Sequence, residues 1–113
     1  MEVILNELIE DGNVIDTYME EGGSSMFTLS HYEKIPTDIW FYNFNVEEPL
    51  RGNGYGNEAL DLAIDKAKRI AGGKGILRLN VKPESWMEKW YERKGFTKYN
   101  SEDGWDSMFM DLN

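Results

Sequence analysis

The chain has no cysteine and a single histidine among its 113 residues. The first absence excludes disulfides, thiolate metal sites and a cysteine nucleophile, and it fits a reducing, cytoplasmic compartment. No run of 18 apolar residues occurs, so no membrane-spanning helix is expected. The segment Met1 to Glu7 lacks the basic stretch of a signal peptide. No His/Cys/Asp cluster has metal-ligand spacing, no Ser-His-Asp set is visible, and there is neither an internal repeat nor a low-complexity linker. Basic residues are scarce at the start. Residues 1–48 hold only Lys34 against 11 acidic residues, a balance of −10. Residues 49–95 carry +4 and residues 96–113 carry −3, for a net charge of −9. Such acidity argues against nucleic-acid binding through a broad basic face. A polyanion would be drawn to the middle segment and a cation to the acidic start.

What is present suffices for one folded domain over residues 1–113. Hydrophobic residues make up 41% and aromatic ones 13%, too much for a disordered chain. Val3 to Glu10 reads as a strand ending at the turn Asp11-Gly12-Asn13, and Asn13 to Glu20 reads as strand or short helix. Met26 to Tyr32 is a further strand. In the aromatic run Ile39 to Val46, alternation puts Trp40, Tyr42, Phe44 and Val46 on one face and Ile39 and Phe41 on the other. These pieces predict an antiparallel meander. Leu60, Ala63, Ile64, Ala67, Ile70 and Ala71 recur at helical spacing over Asn57 to Ala71, with Asp65 set to meet Arg69 and Gly72-Gly73 as the stop. Ile76 to Val81 is a short strand, which makes strand-helix-strand a right-handed parallel crossover. Ser85-Trp86-Met87-Glu88 fits a capping box for a helix running to Lys94, with Gly95 ending it. Phe96 to Tyr99 and Trp105 to Leu112 form a closing hairpin joined by residues 100–104. The four tryptophans and six methionines are expected in the core.

Arg51-Gly52-Asn53-Gly54-Tyr55-Gly56 stands between the aromatic strand and the first helix. Alternating glycines there let backbone N–H groups approach an anion closely, and the helix N-terminus adds partial positive charge. A phosphorylated ligand is expected at this turn. The spacing is neither the Gly-x-Gly-x-x-Gly of dinucleotide folds nor a P-loop. A second motif, Tyr91-x-x-x-Gly95-Phe96, closes the second helix 35 residues after Gly56.

With Arg51-x-x-Gly54-x-Gly56 and the tyrosine motif in this order, the chain resembles the GCN5-related N-acetyltransferases over roughly residues 38–112. The resemblance implies a mixed, mostly antiparallel sheet with a parallel crossover at the cofactor site. It also implies an acetyl-CoA-dependent transferase acting directly in a ternary complex on a primary amine. Arg51, Gly52, Asn53, Gly54, Tyr55 and Gly56 would hold the pyrophosphate, and Phe44 and Val46 would flank the pantetheine arm in a gap between splayed strands. Asn43 and Asn45 could line that gap or be ordinary strand surface. N–H groups near Val46 would stabilise the oxyanion, and Tyr91 would protonate the departing thiolate. Glu47 is the leading general-base candidate because it follows the strand, with Asp38, Glu33 and His31 as weaker ones. His31 is otherwise read as strand surface.

Three positions depart from the family pattern. Glu84 stands where an asparagine is common, Met87 where a small residue is common, and Glu48, followed by Pro49, where proline often stands. The family usually has one or two helices in the N-terminal part, and this chain has room for little helix. Its acceptor pocket is then open or completed by a second subunit in a homodimer. The acidic start suggests a cationic acceptor. The alternative reading is a catalytically degenerate relative that binds CoA or a protein partner.

Overall fold

Apolar and polar residues alternate through the first part of the chain, and they fold as long strands. The computed structural model describes residues 3–20, 25–46 and 55–113. β1 (Val3–Glu10), β2 (Asn13–Glu20), β3 (Ser25–Tyr32) and β4 (Ile35–Val46) form the expected antiparallel meander. Asp11 and Gly12 connect β1 to β2, both with positive φ (50° and 79°), the geometry of a tight two-residue hairpin. That turn fixes the pairing Glu10↔Asn13 and resolves residues 13–20 as strand. Among the described residues no helix precedes α1 (Tyr55–Ala71). After it come β5 (Ile76–Val81), α2 (Trp86–Arg93), β6 (Thr97–Glu102) and β7 (Trp105–Asp111). The closing hairpin is tighter than its sequence suggested, since β6 runs on to Glu102 and only Asp103-Gly104 turns. The seven strands lie in the order β1-β2-β3-β4-β5-β7-β6, and only β4 and β5 run parallel.

Both helices pack on one face of the sheet. Leu60, Ala63, Ala67 and Ala71 of α1 are buried there, and the small alanines let the helix lie close to Leu29, Ile39 and Leu77. α2 sits beside it. Tyr91 meets Phe41 edge-on at 6.5 Å, Trp90 stacks on Phe44 at 5.9 Å, and Lys94, the residue that caps α2, reaches Asp61 of α1 at 4.0 Å. The expected Asp65–Arg69 pair forms at 2.9 Å. It is solvent-exposed and worth a few tenths of a kcal/mol. At the N-terminus of α2, Ser85 Oγ accepts from the Glu88 N–H at 3.2 Å, half of the expected capping box. The Glu88 carboxyl turns instead to Asp106. Gly75 precedes β5 at φ 115°, and a Cβ there would press into the Thr37 backbone, so only glycine lets the parallel pair form.

The opposite face has no covering layer among the described residues. Trp40, Tyr42, Arg78, Tyr99 and Phe109 lie on it. The Arg78 guanidinium stands 6.0 Å from the Trp40 ring and 5.5 Å from the Tyr99 ring, and bonds Asp38 at 2.6 Å. This overturns the expectation of core tryptophans. Trp40, Trp86 and Trp105 are 36, 69 and 45% exposed. The sequence periodicity places them correctly on strands and helix, but among the described residues no layer covers Trp40 and Trp105, and Trp86 stands at the exposed start of α2.

A second correction concerns β4. The register passes from Thr28↔Tyr42 to Met26↔Asn45, which leaves one extra residue on β4. Asn43 takes φ 53° at this bulge. Beyond it the alternation inverts. Phe44 therefore leaves the face of Trp40 and Tyr42 and joins Phe41 on the helix side, 5.4 Å from it.

His31 is a third correction. It is buried on the helix side, where its Nδ1–H donates to the Tyr32 carbonyl at 2.8 Å. On the same face Asp16 is buried opposite Glu7 of β1. Burial, then a hydrogen bond and like-charge repulsion from Glu7, push the Asp16 carboxyl up to about 6, with His31 pulling the other way. The folded state thus binds this proton more tightly than the unfolded chain. The stabilisation is complete below the ordinary value of 3.8 and fades as pH rises through about 6. Asp16→Asn should raise the melting temperature at pH 7.5 and shrink its decline between pH 4 and 7. Parallel melting curves for mutant and parent at both ends of that window test this, and an unchanged difference between them rules it out.

Candidate active site

The site forms where β4 leaves β5. Pairing covers Asp38↔Ile76, Ile39↔Leu77 and Trp40↔Arg78, and stops there. From Phe41 onward the two strands diverge, as the resemblance implied, and the bulge at Asn43 adds to the bend. Between them opens a cleft of about 660 Å³. Phe41, Phe44, Leu79, Val81, Met87 and Tyr91 line it on the helix side. Tyr42, Asn43, Asn80, Lys82, Ser85, Trp86 and Trp105 complete the lining. The walls are largely apolar. Backbone groups on the β5 side of residues 41–46 are released from the β4–β5 ladder and have no strand partner there among the described residues.

Tyr91 closes the inner end. It is 4% exposed and packed edge-on against Phe41 and Phe96. Burial alone pushes its phenol far above the ordinary 10. The group therefore stays protonated at any working pH and can act only as a donor until a strong base appears beside it. Its helix is held by two devices. Ser85 caps the start and also donates to the Lys82 carbonyl at 2.7 Å. Glu88 and Asp106 share a hydrogen bond that raises the first carboxyl and, with Ser101, lowers the second. This carboxyl pair ties α2 to the β6–β7 hairpin.

Of the sequence-based site residues, Phe44, Asn43 and Tyr91 meet in this cleft. Val46 ends β4 and Tyr55 and Gly56 open α1, so those two belong to the first helical turn, whose N–H groups lack intrahelical partners. Glu47, Arg51, Gly52, Asn53 and Gly54 lie outside the described residues. The weaker base candidates are elsewhere. Asp38 is committed to Arg78, Glu33 sits in the β3–β4 turn, and His31 is buried near Asp16. None of the three lines the cleft. Glu84 is exposed at φ 56°, a left-handed geometry that an asparagine adopts more readily. Sequence reasoning missed Lys82, Trp86 and Trp105 on the rim. Only the departure of the N-terminal part from the family's usual helices hinted that aromatic rings there would stay uncovered.

No protein-family model matches this sequence, and no curated protein matches it. The fold does match solved structures. The IAA acetyltransferase from Bacillus cereus aligns over 98% of this chain and 100% of its own, with TM-score 0.67 and 17% identity. The ribosomal-protein-S18-alanine N-acetyltransferase from Escherichia coli covers 92% of this chain and 72% of its own, with TM-score 0.70 and 16% identity. An acetyltransferase of the GNAT family from Staphylococcus aureus covers 90% and 69%, with TM-score 0.67 and 12% identity. The chain has the fold these acetyltransferases share.

Proposed function

We propose that the chain belongs to the GCN5-related N-acetyltransferases and moves an acetyl group from acetyl-CoA to a primary amine by direct transfer in a ternary complex. The observation that carries this is the apolar cleft between β4 and β5, which ends on a buried, protonated tyrosine and lies on the sheet that α1 covers. The residues present suit the cosubstrate. Phe41, Phe44, Leu79, Val81 and Met87 offer an apolar channel for the pantetheine arm. The unpaired backbone of β4 up to Val46 offers it ladder hydrogen bonds. Arg51 to Gly56 would hold the pyrophosphate against the start of α1.

Acetyl-CoA supplies an activated acyl carbon and a thiolate leaving group. The chain's own parts do the rest. The acceptor nitrogen forms its bond to the acyl carbon as the carbon–sulfur bond breaks. N–H groups at the end of β4 stabilise charge on the carbonyl oxygen. The Tyr91 hydroxyl gives its proton to the sulfur, and Glu47, through water, takes the proton lost by the amine. Tyr91 and the thiolate are desolvated in the same cleft, which raises both and keeps that proton transfer in reach.

Calorimetry with acetyl-CoA, followed by thiol release across a panel of amines, tests the proposal. Saturable binding together with amine-dependent release is expected. An absence of acetyl-CoA binding by the folded protein would refute it.

A further inference from the structure

We infer that the acceptor enters from the uncovered face of the sheet. We infer also that its amine sits on a flat apolar body bearing a carboxylate, the class of an aromatic α-amino acid. This rests on the acetyltransferase reading of the cleft. α1 and α2 both pack on one face, so among the described residues the opposite face of the sheet is the one left open beside the cleft. The rim that remains for the acceptor is built from Tyr42, Asn80, Lys82, Trp86 and Trp105.

Three observations define what fits this rim. The first is the rings. Trp86, Trp105 and Tyr42 are all large and exposed. Aromatic surface left open around a cleft marks a place where apolar surface is to be covered by a ligand. The second is the charge. Lys82 is the only charged side chain among the described lining residues, and no carboxylate pairs with it among the described residues. Its ammonium lies 4.8 Å above the centre of the Trp105 ring. That ring face, which would otherwise attract an ammonium acceptor, already carries a cation of the protein's own. A polycation would meet repulsion there and a carboxylate would meet attraction. The third is Asn80. Its Oδ1 accepts from Ser107 Oγ at 2.8 Å, which leaves its amide N–H groups as donors. Lysine and asparagine thus offer the rim a charge-assisted donor and a neutral one, the complement of a carboxylate.

The acidic start of the chain does not contradict this. Of its described carboxylates, Glu7, Glu10, Asp11 and Asp16 lie on β1, β2 and their turn, at the far edge of the sheet from the cleft, Glu33 lies in the β3–β4 turn, and Asp38 on β4 is already paired with Arg78. They set a long-range field that salt screens, while Lys82 acts at contact distance.

The test is thiol release at saturating acetyl-CoA with four acceptors: tryptophan, tryptamine, glycine and spermidine. Tryptophan should have the highest kcat/KM by at least about tenfold, the scale of one charge-assisted hydrogen bond. Lys82→Ala should lower the tryptophan-to-tryptamine ratio by about tenfold, and Trp105→Ala should weaken both aromatic amines. Both side chains are at the surface, and melting curves confirm that the variants fold. Spermidine matching or exceeding tryptophan would overturn the inference. So would a Lys82→Ala variant with an unchanged ratio, or acetyl-CoA binding without release to any of the four. Failure to bind acetyl-CoA at all would instead bring down the acetyltransferase reading itself.

Discussion

Tyr91→Phe should leave acetyl-CoA affinity nearly unchanged and lower kcat by roughly tenfold to a thousandfold, the usual range for loss of a general acid. The phenylalanine keeps the ring contacts with Phe41 and Phe96, so the packing survives and only the proton donor is removed. Melting curves and calorimetry on the mutant separate this from misfolding. A parental kcat would reduce Tyr91 to a packing residue. The parent should also show no alkaline fall in kcat from this tyrosine in the working range, because burial holds its phenol well above the ordinary 10.

Gly56→Val should weaken CoA binding by more than about a hundredfold, the equivalent of losing roughly 2.7 kcal/mol of contact at the pyrophosphate. Gly56 is the second residue of α1, a helical position that accepts a side chain without backbone strain. The mutant should therefore melt like the parent, and the loss would report occupied space at the anion site. Gly54→Val is expected to act in the same direction. Calorimetry decides, and unchanged affinity in both mutants would dissociate the glycine turn from the cofactor.

The features that could be read in the sequence are those governed by local spacing. The apolar stripe of α1, its glycine stop, the serine cap of α2 and the tyrosine four residues before Gly95 all follow from short-range rules. The crossover between β4 and β5 follows from element order and chirality. What stayed hidden depends on contacts far apart in sequence. The bulge at Asn43 arises from register with β3, and it moved Phe44 across the sheet. The exposure of Trp40 and Trp105 reflects a sheet face that no described element covers, which no alternation pattern encodes. His31 looked like strand surface because α1, which lies on its face, is contributed by residues far along the chain.

Among the described residues three pairs, Asp38–Ile76, Ile39–Leu77 and Trp40–Arg78, join the ladder of the first four strands to that of the last three. The molecule is accordingly two antiparallel halves stitched along a short seam, with α1 as the strap between them. Each half draws its strand pairing from its own stretch of chain. The cleft lies directly beyond the last stitch, so a molecule bound along both of its walls would also serve as a clasp, lengthening the seam that the backbone leaves unfinished.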